Sequence, residues 1–241
     1  MTKGEAQRRA IAARERLIVA LDVPGLTAAK ALVERLGEEA GFYKIGLELA
    51  TSPGFFELLD WLLARGKRVF ADLKLHDIPT TVGAAVRNLS TSGASFLTVH
   101  GERSVVEAAA AHKGPELEIL AVTVLTSMTQ DDLRESGIEH SVADLTALRA
   151  RAAIAGGCDG LIASGLEVAD LRAEIGPGPL IVTPGIRPEG AARGDQRRVV
   201  TPRRALAGGA DYIVVGRPIR DAADPAAAAA AIQAEIAAVF E

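Results

Sequence analysis

The sequence predicts a single-domain (β/α)8 TIM barrel. Three observations predict it: eight short apolar runs recur along the chain, helical stretches separate them, and unusual polar residues collect where the runs end. The runs are "RLIVALDV", "FYKIGLEL", "RVFADLKL", "FLTVHG", "ILAVTVLT", "GLIAS", "LIVTPGI" and "YIVVGRPI". Their β-branched and apolar content marks them as strands. Between them, "TAAKALVERLGEEA", "GFFELLDWLLARG" and "VADLTALRARAAIAGG" carry apolar residues at helical spacing with glycines near their ends. The first places Ala28, Leu32, Val33 and Leu36 on one stripe. Alternating strand and helix imply a parallel sheet with crossover helices, and eight such units in 241 residues match a closed barrel. An open dinucleotide-binding sheet would show a Gly-rich turn after its first strand, and "LDVPGLTAAK" lacks it.

The elements outside this period are the two ends. The opening "MTKGEAQRRAIAARER" is rich in Arg and Ala, as a transit peptide is, but it holds Glu5 and Glu15 and runs directly into the first strand. It reads as a short helix over about residues 3–15. The closing "DPAAAAAAIQAEIAAVF" looks like low complexity, yet Asp224 can cap it and Pro225 can occupy its first turn, so it reads as the last barrel helix. No linker or composition break divides the chain, and one domain over 1–241 is expected.

Composition narrows the partners. With 27 Lys+Arg against 31 Asp+Glu, the net charge of −4 argues against a surface built to hold nucleic acid or anionic lipid. No run approaches the ~18 consecutive apolar residues of a membrane span. The single cysteine, Cys158, excludes an intramolecular disulfide and a multi-cysteine metal site, and reads as a small core residue in a reducing compartment. A cytoplasmic protein acting on a small molecule, with no nucleic acid, no membrane and no metal, is the expectation.

Barrel enzymes place their sites at the C-terminal ends of the strands. Asp22 ends the first strand in the alternation class of Ile18 and Ala20. Lys44 alternates with Tyr43 and Ile45 in the second, and Asp72 and Lys74 share the inward face of the third. Asp77 follows in the loop, His100 ends the fourth strand, Thr126 follows the fifth, Arg187 the seventh, and Arg217 comes after Gly216 at the end of the eighth. Taken singly, Lys44, Asp72 and Lys74 read as a structural ion-pair network, and His100 as a histidine bonded to backbone. Together, four charged positions at one mouth of an interior normally filled by apolar side chains are hard to explain by packing. The segment from Arg187 to Arg204 holds six arginines against Glu189 and Asp195, 6 − 2 = +4 on a chain of net −4. That charge, after strand seven of a barrel, suits a phosphate. Arg193, Arg197, Arg198, Arg203 and Arg204 also fit a solvated basic loop.

The motifs "DLKLHDIPTT", "TPGIRP", "GDQRR" and "VVGRPI", in this order, closely resemble orotidine 5'-phosphate decarboxylase of the bacterial type, over the span from "LIVALD" to "VGRPI". The resemblance implies cofactor-free loss of CO2 from orotidine 5'-monophosphate to give UMP. It implies Lys74 as proton donor to C6, within an alternating charged array of Lys44, Asp72, Lys74 and Asp77. Asp22 and Lys44 would contact the ribose, and Thr126, or Ser127 beside it, the base. Arg187, Gln196, Gly216 and Arg217 would line the phosphate and loop region. Asp77, Ile78 and Thr81 would come from the second subunit of a homodimer with shared active sites. Two other readings stay open: a Mg-dependent sugar-phosphate decarboxylase or aldolase of the same barrel type, and a non-catalytic phosphate-ligand sensor, which has no need of Lys74.

Overall fold

A computed structural model describes residues 11–190 and 198–240. Strands β1 (Leu17–Ala20), β2 (Phe42–Ile45), β3 (Arg68–Leu75), β4 (Phe96–His100), β5 (Glu118–Val122), β6 (Gly160–Ile162), β7 (Leu180–Thr183) and β8 (Tyr212–Val215) follow one another around a closed barrel. Every pairing is parallel, and β1 meets β8 through Leu17↔Ile213 and Ile18↔Val214. The eight expected strands are thus all present, in chain order. The tail of "FYKIGLEL" departs from expectation: the strand stops at Ile45, and Leu47–Ala50 turns into a short helix behind Gly46.

Strand periodicity divides the apolar residues into two cores. Leu17, Val19, Tyr43, Ile45, Val69, Ala71, Leu97 and Val99 point outward and pack under the helices. Ile18, Ala20, Phe42, Phe70, Phe96, Leu120, Val122, Val182, Tyr212 and Val214 point inward and fill the barrel. The helix Leu26–Leu36 buries Ala29, Leu32, Val33 and Leu36. Ala29 therefore takes the place expected for Ala28, because a stripe at 29, 32, 33 and 36 keeps the i, i+3, i+4, i+7 spacing. The closing helix Pro225–Phe240 starts as expected, with the Ala227 amide donating to Asp224 Oδ1 at 3.0 Å. Ahead of β1, residues 13–16 form a single 3-10 turn; the rest of the helix expected over about 3–15 lies largely outside the described residues. Cys158 is buried in the outer core, and burial, aided by the charge of Asp159, pushes its thiol up to about 12, so it stays protonated at neutral pH.

The two ends of the interior differ in chemistry. At the N-terminal end Phe42, Phe96 and Tyr212 pack edge to face or tilted, with centroids 5.1, 5.2 and 5.9 Å apart, and the Arg68 guanidinium lies 4.2 Å from the Phe42 centroid. The rings close the bottom with Arg68 against them, and the cavity lies at the opposite end. The bottom rim is tied by Asp211, which is fully buried: its Oδ2 accepts from Arg172 Nη2 at 2.7 Å and from the Ile181 amide at 2.8 Å. Arg172 also donates to the carbonyls of Gly209, Gly176 and Pro179, so one guanidinium joins the segments entering β7 and β8. Removing one member of a buried, hydrogen-bonded ion pair costs about 3–5 kcal/mol. Asp211→Ala is expected to lose that much in urea unfolding; a loss below about 0.5 kcal/mol, the scale of ordinary surface changes, would show that the pair does not hold the rim.

Candidate active site

Three consecutive strands raise a charge one inward step above an apolar side chain: Ala20 then Asp22, Phe42 then Lys44, Phe70 then Asp72. β3 adds a fourth charge through an irregularity. Its pairing with β4 passes from Ala71↔Leu97 to Leu75↔Val99, so 75 − 71 = 4 residues of β3 face 99 − 97 = 2 of β4. Two extra residues preserve the alternation and push the segment carrying Asp72 and Lys74 toward the cavity. Within it Lys74 has φ +46°, the single left-handed non-glycine among the described residues. That conformation costs roughly 1–3 kcal/mol and persists where surrounding contacts over-determine it.

The charges form one chain. Lys44 Nζ lies 3.0 Å from Asp22 Oδ1 and 3.3 Å from Asp72 Oδ2, and Lys74 Nζ lies 2.8 Å from Asp72 Oδ1. Two carboxylates and two ammoniums alternate, so the group carries no net charge, although Lys44 and Asp72 are almost wholly withdrawn from water. Burial penalises the charge on both. For Asp72 the neighbouring Lys44 and Lys74, with hydrogen bonds from Lys74 and Thr98, outweigh that penalty and hold the carboxyl below the ordinary aspartate value. For Lys44 the charges of Asp72 and Asp22 do the same and hold the ammonium above the ordinary lysine value. Lys44 lies on β2 and Asp72 and Lys74 on β3, with Asp22 two residues beyond β1, and the ion pairs among them position the array before any ligand arrives.

A cavity of about 290 Å³ opens above these residues. Asp22, Lys44, Asp72 and Lys74 form one part of its lining, Phe70, Val122, Val124, Leu125, Ile162 and Val214 supply apolar surface, and Arg187, Arg217 and Arg220 bring guanidinium groups from the segments after β7 and β8. Thr126 and Gly216 also line it, whereas Ser127 does not; of the two residues expected near a base, Thr126 is the one at the cavity. Arg220 and Thr98 escape notice in the sequence. The signals are present: Arg220 follows Arg217 by one helical turn, and Thr98 occupies the inward slot of β4 between Phe96 and His100. Gly46 is a third. A Cβ built there would stand 2.8 Å from Lys44 Nζ and 2.9 Å from Asp22 Oδ1, so the pair occupies the space any side chain would need.

The remaining expected residues lie elsewhere. Asp77, Ile78 and Thr81 are exposed outside this cavity, Ile78 by 66%. Gln196, with Arg193 and Arg197, falls outside the described residues. Arg198, read as one of a solvated basic run, instead pairs with Glu167 and donates to the Leu125 carbonyl at 3.0 Å, tying the segment after β7 to the one after β5. His100 stacks on His76 with centroids 4.6 Å apart, and burial lowers its pKa, so a ring partner takes the place of the expected backbone bond.

A closed parallel barrel with a preformed charged cavity at the C-terminal ends of its strands is the architecture of a (β/α)8-barrel enzyme. The chain belongs to the Orotidine 5'-phosphate decarboxylase / HUMPS family, whose model matches residues 15–232. It is 57% identical over 227 residues to an orotidine 5'-phosphate decarboxylase of Methylococcus capsulatus, covering 94% of this chain and 93% of that one. A protein of the same description from Xanthomonas campestris pv. campestris is 56% identical over 227 residues, with 94% and 93% covered. Among solved structures, that of orotidine 5'-phosphate decarboxylase from Lactobacillus acidophilus superposes with a TM-score of 0.81 at 36% identity, over 92% of this chain and 99% of that one.

Two outcomes follow from the array. Gly46→Ala is expected to force Lys44 away from Asp22 and to lower turnover at least tenfold in a protein that still folds; native turnover would mean the pair yields without cost. The pH dependence has a definite sign. Asp72 is depressed when folded, so its contribution is complete above the ordinary value of 3.8 and is lost as pH falls through the lower folded value; Lys44 is raised, so its contribution is complete below 10.5 and is lost at higher pH. Asp72→Asn, which leaves two ammoniums facing each other, should lower the urea midpoint at pH 7, with the gap to the parent narrowing as pH drops below 3.8. A gap that stays constant there would show that Asp72 is not the titrating partner.

Proposed function

We infer that this enzyme is a carboxy-lyase that converts orotidine 5'-monophosphate to UMP and CO2 in pyrimidine biosynthesis. Membership of the Orotidine 5'-phosphate decarboxylase / HUMPS family and identities of 55–57% to relatives named orotidine 5'-phosphate decarboxylase support the reaction. The observation that carries the mechanism is the Lys74 ammonium, held 2.8 Å from a buried carboxylate in a cavity that Arg187, Arg217 and Arg220 also line.

The chemistry asks for such a group. Breaking the bond between C6 and its carboxylate leaves the electron pair in an sp2 orbital that the ring does not delocalise, so stabilisation near the top of the ~8–23 kcal/mol that enzymes commonly supply is required. Lys74 faces that developing charge and then transfers a proton from Nζ to C6, and the neutral amine regains its proton from solvent. Asp72 keeps Lys74 charged and aimed, and Lys44 and Asp22 hold Asp72 in turn. Asp22 and Lys44 are suited to the ribose hydroxyls and Thr126 to the base. Arg187 and Arg217, with Gly216, are suited to the 5'-phosphate, whose binding energy is then available at the transition state. Gln196 is assigned to the same phosphate and loop region.

Asp77, Ile78 and Thr81 are assigned to the site of a second copy of the chain in a homodimer. Their exposure outside their own cavity, just beyond the strand that carries Lys74, supports this reading. A protein of the cytoplasm, formed as one domain, is consistent with a metabolic role; among the described residues no helix is long and apolar enough to cross a membrane.

Loss of orotidine 5'-monophosphate absorbance in EDTA tests the reaction itself: turnover is expected, and its absence, with recovery on Mg2+, would favour the metal-dependent reading. Lys74→Ala should abolish turnover while UMP affinity stays within about tenfold, because its role lies in the transition state. Arg217→Ala should weaken binding and slow turnover together, and unchanged kinetics would place the phosphate elsewhere. Mixing inactive Lys74→Ala and Asp77→Ala chains tests sharing, since a mixed dimer has one site with both residues native. Random reassortment makes about half the dimers mixed and about a quarter of all sites native. A mixture as inactive as its parents after verified exchange would place Asp77 in its own chain's site.

A further inference from the structure

We propose that Thr98 is a positioning residue for the decarboxylation, its hydroxyl holding Lys74 in the left-handed conformation that aims the ammonium. This rests on Lys74 as the proton donor. Thr98 lies on β4 in the inward slot facing the irregular stretch of β3, and it is fully buried. Its Oγ1 accepts from the Lys74 amide at 2.9 Å and donates to Asp72 Oδ1 at 2.9 Å. The same Oδ1 receives Lys74 Nζ at 2.8 Å. One hydroxyl therefore fixes both ends of the catalytic lysine, its backbone directly and its side chain through the carboxylate it contacts.

The need for such a group follows from the irregularity. Where β3 carries two residues more than β4 can pair, the ladder supplies no acceptor for the Lys74 amide, and a partly buried donor left unpaired is unfavourable. A hydroxyl has one donor and an acceptor face, and here each is used in the direction its partner requires: an amide can only donate, and an ionised carboxylate can only accept. Threonine adds a stiff χ1, which limits where Oγ1 can point. Left-handed Lys74 is held by this contact together with the Nζ pair to Asp72. If the hydroxyl is removed, the backbone is free to return to the extended region, and Nζ moves relative to the cavity. Displacement of a reacting group by about 1 Å can cost on the order of 100-fold in rate.

The test is Thr98→Val, which keeps the shape and removes the hydroxyl, beside Thr98→Ser, which keeps the hydroxyl. Turnover of orotidine 5'-monophosphate by Thr98→Val should fall by about 10- to 100-fold with KM and UMP affinity within about threefold, and Thr98→Ser should stay within about threefold of the parent. If the valine variant fails to fold, Thr98→Ala carries the same prediction. Parental kcat in the variant lacking the hydroxyl would overturn the proposal, and so would an equal loss in the serine variant, which would assign Thr98 to packing. A crystal structure of the same variant reads the geometry without relying on turnover: Lys74 should leave positive φ. A left-handed Lys74 unchanged without the hydroxyl overturns the proposal even if the parent enzyme proved inactive on this substrate, an outcome that by itself would strike only the assigned reaction.

Discussion

A single carboxylate shared by two ammoniums organises the mouth of this barrel. Asp72 gives one oxygen to Lys74 and the other to the buried Lys44, which Asp22 holds from its other side. The arrangement is stable as a whole and fragile in its parts: four alternating charges cancel, but removing one leaves its neighbours uncompensated. Stabilising the fold and positioning the Lys74 ammonium are therefore the same set of contacts. Any substitution that disturbs the array changes both, which is why turnover must be read beside affinity and unfolding.

The barrel makes this possible by separating its contents along the axis. Aromatic rings around Phe96 fill the N-terminal end, and the buried Asp211–Arg172 pair ties that rim. The opposite end is then left with inward slots that the core does not need, and the charges of β1, β2 and β3 occupy them. The loops after β7 and β8 face the same opening and bring arginines toward it without having to form part of the core.

Much of this was legible because strand alternation is a local rule. Reading every second residue places Asp22, Lys44, Asp72 and Lys74 on one face, and the structure brings those four together. The same rule, applied to "FLTVHG", puts Thr98 inward, but nothing local shows that its hydroxyl meets β3, because the meeting depends on a pairing irregularity between strands. Gly46 is hidden for a similar reason: the atoms that exclude a side chain there belong partly to Asp22, in the segment after β1. Charge counts misjudged Arg198, since a run of arginines does not reveal that Glu167 waits across the mouth. On helix Leu26–Leu36 the adjacent alanines Ala28 and Ala29 offer the same side chain, and the i, i+3, i+4, i+7 spacing of the buried stripe selects Ala29.

The central claim is that the fixed ammonium of Lys74 exchanges a proton with C6. By microscopic reversibility, the group that protonates the carbanion also removes the proton from the product. UMP incubated with the enzyme in D2O should lose its C6–H signal by proton NMR, and UMP bound to Lys74→Ala should keep it. Exchange at C6 that proceeds as fast in Lys74→Ala as in the parent would contradict the account, because another group or solvent would then be handling the proton.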